Sequence, residues 1–348
     1  MMIEHEIYMK RCLQLAKNGL GTTYPNPLVG SVIVHKGKII GEGWHKKAGE
    51  PHAEVNAINS VKNKELLSES TIYVNLEPCS HFGKTPPCAN LIIEHKIPKV
   101  VIGCMDSFSE VAGKGIEKLT HAGCKVTLNV LEKECLEINK RFFTFHNKKR
   151  PYIILKWAET ADGFIAPLVN DSKSSIAISN PYSRQLVHKY RTEEQAILVG
   201  TNTVLNDNPN LDARDWFGKN PTRVILDRTH KIPVDYNIKN KKTPTIIFSE
   251  EENCLNSENC IYEFSIFDTH LIENILNNLF KKNIQSVIIE GGTYTLQQFI
   301  DTNLWDEARI FISEDYGVEG IKKPDFNFIP NQKVKIKNNQ LNRYINYD

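Results

Sequence analysis

The feature that most restricts the fold is a set of three soft metal ligands lying apart in the chain. Pro51-His52-Ala53-Glu54 is followed, across an apolar run, by Pro78-Cys79 and then by Pro86-Pro87-Cys88. One imidazole and two thiolates suit Zn2+. Three protein ligands leave the fourth tetrahedral position open, as in catalytic rather than structural zinc sites. Any fold must therefore bring His52, Cys79 and Cys88 together. His52 and Glu54, at i and i+2, cannot share a face in the middle of a helix. They converge at a helix N-terminus, where the first residue is only half helical. This places both at the start of a helix over 53–61, Cys79 at the end of a strand over 71–76, and Cys88 at the start of the next helix. Two helix N-termini would then face the metal, and their dipoles favour thiolate and hydroxide.

Such a metal lowers the pKa of its bound water toward ~7. Glu54, itself off the metal, is placed to carry a proton from that water to a ring nitrogen and then to a departing amine. A closed structural site could instead recruit His81, but Glu54 would then have no purpose beside the ligand His. The eight residues between Cys79 and Cys88 exclude a redox C-x-x-C. The H-x-E … P-C … C order is that of zinc-dependent nucleobase deaminases, whose plain signature has two residues between the cysteines. Residues 80–87 are thus an insert that needs an explanation.

The chain has 348 residues, which suggests two domains. We expect them at 1–145 and 151–348. The cluster His146-Asn147-Lys148-Lys149-Arg150-Pro151 breaks the apolar periodicity, so the linker is expected within 142–151. A net charge of +2 argues against a nucleic-acid or membrane surface and leaves a small-molecule substrate. No apolar run approaches the ~20 residues of a membrane span, and the N-terminus lacks signal-peptide order. Eight scattered cysteines are not a disulfide framework. A reducing cytoplasm fits them and keeps Cys79 and Cys88 available as ligands. Assembly into a homo-oligomer stays open.

Apolar spacing predicts a helix over 4–18 and a hairpin of strands 29–35 and 39–43. Helix 53–61, strand 71–76, a helix from 89, strand 99–104, helix 115–121, strand 125–130 and a helix from 131 follow. That series implies a three-layer α/β/α sandwich. A second α/β series has strands at 152–157, 196–199, 222–226, 243–248, 286–289 and 308–312, with helices at 181–190, 271–281 and 293–303. The polar stretch 249–260 reads as a surface loop.

Several motifs go beyond the metal ligands. They are Thr23-Tyr24-Pro25-Asn26-Pro27-Leu28-Val29-Gly30, Gly41-Glu42-Gly43-Trp44-His45, Ala48-Gly49-Glu50-Pro51-His52-Ala53-Glu54 and the stretch from Leu76-Glu77-Pro78-Cys79 to Cys88 with its insert Ser80-His81-Phe82-Gly83-Lys84-Thr85-Pro86-Pro87. Val111-Ala112-Gly113-Lys114-Gly115, Lys156-Trp157-Ala158-Glu159-Thr160-Ala161-Asp162-Gly163, Thr203-Val204-Leu205-Asn206-Asp207-Asn208-Pro209 and Ile289-Glu290-Gly291-Gly292 continue the pattern. Together they resemble the bacterial bifunctional riboflavin-biosynthesis deaminase/reductase family across nearly the whole chain.

The resemblance implies an N-terminal cytidine-deaminase-like domain and a C-terminal dihydrofolate-reductase-like α/β domain. The first would remove the 2-amino group of 2,5-diamino-6-ribosylamino-4(3H)-pyrimidinone 5′-phosphate. The second would use NADPH to reduce the ribosyl group to ribityl. His52, Cys79 and Cys88 would bind zinc, with Glu54 as the proton shuttle. Asn26, His45 and Lys84 would meet the first substrate. Ala158, Ala177, Thr203, Asp207, Gly291, Gly292, Thr293, Tyr294 and Thr295 would meet NADPH. Ser175, Arg191, Leu211, Arg214 and Glu290 would meet the second substrate. No G-x-G-x-x-G follows a strand, so a Rossmann site is not expected.

The chain departs from the family pattern in three places. Asp106-Ser107-Phe108-Ser109 stands for Asp-Pro-Asn-Pro, Phe164 for a basic residue, and Ala177 for a Trp. The competing readings are a deaminase whose C-terminal domain is inactive or structural, a nucleic-acid deaminase, and a zinc-stabilised interaction module. The near-neutral charge and the insert count against the second.

Overall fold

The computed structural model describes residues 2–80, 86–106, 113–167, 178–252, 255–317 and 319–347. The chain divides into two compact units, Met1–Lys149 and Arg150–Asp348.

The first unit runs α1 (Met2–Ala16), β1 (Gly30–His35), β2 (Lys38–Trp44), α2 (Ala53–Ser60), β3 (Thr71–Leu76), α3 (Cys88–Glu94), β4 (Lys99–Cys104), α4 (Lys114–His121), β5 (Lys125–Thr127), α5 (Glu132–Ile138) and α6 (Lys140–Lys148). The sheet order is β2-β1-β3-β4-β5. β1 is antiparallel to both β2 and β3, while β3, β4 and β5 are parallel. Period-two alternation sends the strand residues to two cores. Val32, Val34, Tyr73 and Val101 face α1, α5 and α6, and Ile33, Ile72, Val74, Val100 and Ile102 face α2, α3 and α4. Burial on both faces explains why the strands read as continuous apolar runs.

The segment 142–148 is not linker but helix. Phe142 and Phe143 are buried against α1 and the sheet, which outweighs the polar cluster that follows them. The helix stops at Lys149, whose φ of 55° is left-handed.

The second unit runs β6 (Tyr152–Glu159), β7 (Phe164–Pro167), α7 (Pro181–Glu193), β8 (Ala196–Gly200), α8 (Thr201–Asp207), β9 (Thr222–Leu226), β10 (Thr245–Ser249), β11 (Cys260–Phe264), α9 (Leu271–Lys281), β12 (Ser286–Ile289), α10 (Thr293–Asp301), β13 (Glu307–Ser313), β14 (Gly320–Lys322), β15 (Gln332–Ile336) and β16 (Asn339–Ile345). Its nine-stranded sheet has the order β11-β10-β9-β8-β12-β6-β13-β16-β15. All pairs from β11 to β13 are parallel, and β16 and β15 add antiparallel pairs at one edge. β7 and β14 form a separate ribbon.

The sequence reading missed β7, β14, α8 and the β15–β16 hairpin. That hairpin turns at Lys337, which takes φ 58° without the glycine that usually signals such a turn. β11 also escaped, because it is a half-exposed edge strand just past the polar stretch.

Candidate active sites

The hairpin of the first unit seats α2. Gly41 and Gly43 lie on one face of β2, where a Cβ would come within 2.6 Å of Ala57 O and 2.4 Å of Ala57 N, respectively. The helix backbone thus rests on the strand, which only glycine at both positions allows. His52 is the half-helical residue before α2, with extended backbone at φ −69° and ψ 166°, and Glu54 lies buried in its first turn. Cys88 opens α3. Cys79, just past β3, is held by that helix's start. Its sulfur accepts the Cys88 N–H at 3.3 Å, and its carbonyl accepts the Ala89 N–H at 3.1 Å.

His52 Nδ1 lies 3.6 Å from Cys79 Sγ and 3.4 Å from Cys88 Sγ, and all three ligand atoms lie within 4.8 Å of one another. Tetrahedral zinc, with bonds of ~2.3 Å to sulfur and ~2.0 Å to nitrogen, separates neighbouring ligand atoms by about 3.5 Å. The cluster therefore fits zinc as it stands. Among the described residues it is the only His/Cys/Asp/Glu group of this kind.

Burial raises the Glu54 carboxyl from 4.5 to about 7, with Cys79 adding to the shift. The hydrogen bond from Cys88 holds Cys79 down at about 4. The same bond, together with burial, pushes Cys88 up, and the bond to Cys79 raises His52. Two thiols, a carboxyl and an imidazole thus compete for protons within one cluster. A dication on the three ligands would release that competition.

Asn26 and His45 come together beside these ligands. His45 Nδ1 donates to Pro51 O at 3.2 Å, which leaves Nε2 to accept from Asn26 Nδ2 at 3.0 Å. The His45 and His52 rings meet edge to face at 5.4 Å. Burial lowers the pKa of His45 and favours this neutral form. Lys84, with His81 and Phe108, lies outside the described residues.

The second site lies at the C-terminal ends of β8 and β12, neighbouring parallel strands, where open α/β sheets bind ligands. Glu290 follows β12 and takes a fork from Arg191, with Nε at 3.2 Å and Nη2 at 2.7 Å. Lys156 Nζ, from β6, stands 3.6 Å away. Burial alone would raise Glu290, but Arg191 and then Lys156 override it and hold the carboxyl at about 2. Arg191 Nη1 and His188 Nδ1 both donate to the Asp212 carbonyl, each at 3.0 Å. They tie down the loop in which Leu211 takes φ 51° and Arg214 pairs with Asp212 at 2.6 Å. The structure thus joins Arg191, Glu290, Leu211 and Arg214.

It adds Lys156 and His188, which the sequence reading did not single out. Lys156 had a signal, because a charge inside the apolar run 152–158 demands a buried partner. His188, on an ordinary helix, had none.

On the other side of Glu290, Gly200 and Gly291 admit no side chain. A Cβ on either would lie 2.7 Å from the side chain of Thr295. Gly292 N donates to Thr203 Oγ1 at 3.0 Å, so that amide is not free for a ligand, while the Thr203 hydroxyl proton meets no acceptor among the described residues. Gly292, the residue before α10, has no side chain with which to cap the helix. Thr293 bonds Lys322 O, Tyr294 is exposed and Thr295 is buried. Ala158 lies on β6 opposite Phe311, and Asp207 ends α8. Ser175 and Ala177 fall outside the described residues. Phe164 packs on Gly317 and Gly320 beside β14.

Comparison with known proteins follows this division. The profile of the cytidine and deoxycytidylate deaminase zinc-binding region matches residues 2–104, and that of the RibD C-terminal domain matches 151–313. The riboflavin biosynthesis protein RibD of Aquifex aeolicus is 41% identical over 322 residues, covering 91% of this chain and 89% of its own. The chain belongs to the RibD family. The RibD of Escherichia coli K12 is 33% identical, covering 89% and 88% of the two chains.

A crystal structure from Thermotoga maritima, described as a diaminohydroxyphosphoribosylaminopyrimidine deaminase/5-amino-6-(5-phosphoribosylamino)uracil reductase, superposes with a TM-score of 0.87. It is 38% identical and covers 98% of each chain. Acinetobacter baumannii RibD also reaches 0.87, at 30% identity and 99% of each chain. The residues matched by the cytidine and deoxycytidylate deaminase zinc-binding profile, 2–104, include His52, Glu54, Cys79 and Cys88. Among the described residues no helix is long and apolar enough to cross a membrane.

Proposed function

We propose that this RibD chain catalyses both steps of a deaminate-then-reduce pair. The first is hydrolytic removal of the 2-amino group of 2,5-diamino-6-ribosylamino-4(3H)-pyrimidinone 5′-phosphate. The second is reduction of its ribosyl group to ribityl with NADPH. The observation that carries the reading is the His52, Cys79, Cys88 cluster at zinc spacing with the buried Glu54 beside it. Zinc held there would supply an acidified water near neutral pH. Glu54 would take one proton from the attacking water and give it to the ring nitrogen, then carry the second, from the hydroxyl so formed, to the leaving amine. Burial suits it to both tasks, because it brings the carboxyl near neutrality. Asn26 and His45 present an amide and a neutral imidazole at the same pocket to orient the ring, and Lys84 is assigned to the phosphoribosyl group.

In the second unit NADPH would supply the hydride. The first turn of α10, behind Gly291 and Gly292 and without a cap from Gly292 itself, would offer backbone N–H groups to its phosphates. Thr203 adds a hydroxyl donor. Ala158, Ala177, Asp207, Thr293, Tyr294 and Thr295 are assigned to the same cofactor. Arg191 and Arg214, with Ser175, Leu211 and Glu290, are assigned to the phosphorylated sugar. Arg191 already spends two donors on Glu290, so it acts there as part of a fixed pair.

The test is a coupled assay with metal analysis. Purified protein should contain one zinc per chain and oxidise NADPH when given the diaminopyrimidine, but not without a pyrimidine substrate. Deamination without any NADPH oxidation would leave the second unit without its proposed role. Gly291→Ala should raise KM for NADPH about tenfold or more, because the new Cβ meets Thr295 and shifts the start of α10. Deaminase rates, measured in the same preparation, should not change.

A further inference from the structure

Glu77 is a buried carboxylate next to the metal ligands to which the chemistry above assigns no task. It follows the last residue of β3, and its own N–H is fixed on Cys104 O at 3.0 Å. Its side chain accepts four backbone N–H groups. Oε1 takes Gly115 at 2.9 Å and Ile116 at 3.3 Å, and Oε2 takes Gly113 at 3.0 Å and Asp106 at 3.3 Å. One side chain thus binds the first turn of α4 and joins the two residues that bound the segment 107–112.

A second contact runs between the same elements. A Cβ on Gly115 would lie 2.1 Å from Pro78 O, so the first turn of α4 is pressed against the carbonyl just before Cys79. The proline ring fixes φ at residue 78 and restricts Glu77 to extended backbone. From α4 to the Cys79 sulfur there is little freedom left.

We propose that Glu77 is a positioning residue for the metal centre. By clamping Glu77-Pro78 onto the first turn of α4, it holds Cys79 at ligand distance from His52 and Cys88. This rests on the zinc reading of the cluster given above. Groups that orient metal ligands typically contribute 10- to 100-fold to metal affinity or activity. Glutamine at this position keeps the size but turns an NH2 toward two N–H donors, so half of the clamp becomes repulsive.

The test uses the full chain, with zinc affinity measured by chelator competition. Glu77→Gln should bind zinc 10- to 100-fold more weakly and lose deaminase kcat at limiting zinc, with part of it restored by excess zinc. The reductase rate is the control for global folding and should stay within twofold of wild type. Gly115→Ala keeps the carboxylate but pushes α4 off Pro78, and should also weaken zinc binding by threefold or more. Zinc affinity within twofold of wild type in both variants, even with a lower unfolding temperature of the zinc-free protein, would reduce Glu77 to a structural brace and overturn the proposal. Equal zinc content in wild type and Cys88→Ser would instead sink the metal reading itself, so the two failures are distinguishable.

Discussion

Glu54→Gln should lower the deaminase rate by 10²- to 10⁴-fold, the range that a positioned general acid–base supplies. The amide fills the same buried space in the first turn of α2 but can neither take nor return a proton. The three ligand atoms sit on His52, Cys79 and Cys88, so zinc content should stay at the wild-type level. NADPH oxidation, assayed with the deaminated intermediate, should be unchanged, because Glu54 lies in the first unit. Loss of the metal together with activity would show that Glu54 is a ligand and not a proton carrier. Full activity would remove hydrolytic deamination at this pocket altogether.

The second large effect is expected at Glu290. Arg191 and Lys156 share this one carboxylate, and all three groups are largely removed from water. Breaking a buried ion pair by deleting one partner costs about 3–5 kcal/mol, because the survivor keeps its desolvation penalty. In Glu290→Gln two cations lose their common anion, so the second unit should lose stability toward the upper part of that range. Its unfolding can be followed in denaturant through Trp157, Trp216 and Trp305, all in that unit. Adding Lys156→Met should recover part of the loss, as expected for residues in one network.

The pH dependence has a definite sign. The folded carboxyl is depressed to about 2 from an ordinary 4.5. Its contribution is therefore complete above about pH 4.5 and is lost as the pH falls toward 2. Wild type and Glu290→Gln should differ most near neutrality and converge in acid. A constant difference down to pH 2 would contradict the assignment.

The two sites were unequally legible in the sequence, and the reason is physical. The zinc cluster is written into short-range structure. His52 at the entry to α2, Cys88 at the entry to α3 and the glycines of β2 are each set by neighbours within a few turns. Spacing alone therefore placed His52 and Cys88, whereas the part played by the β2 glycines shows only in the fold. The second site is assembled from β6, α7, the loop after Leu211 and the end of β12, so its partners are far apart in the chain. Arg191 and Glu290 are 99 positions apart. No local pattern marks such a pair, and only the resemblance to a family pointed to them. Lys156 was readable as an interior charge in need of a partner, but the identity of that partner was not. The polar run after Phe145 was given too much weight as a linker, since the burial of Phe142 and Phe143 that keeps α6 helical is a tertiary effect. The last hairpin was invisible for a different reason: its strand β15 is almost wholly exposed, and its alternation is limited to Val334 and Ile336 between lysines.

The place of β6 in the larger sheet affects how the chain is made. β6 lies between β12 and β13, with Tyr152 opposite Ser286 and Ile154 opposite Glu307. On a ribosome it is the first strand of its unit to emerge and must wait until β12, Ser286–Ile289, is made before either flank is covered. Pairings between strands so distant in sequence are slow to form and leave apolar edges exposed meanwhile. The first unit has all five of its strands by Thr127. Its metal centre can therefore be complete on the nascent chain while the Tyr-Ile-Ile-Leu run of β6 still awaits its neighbours.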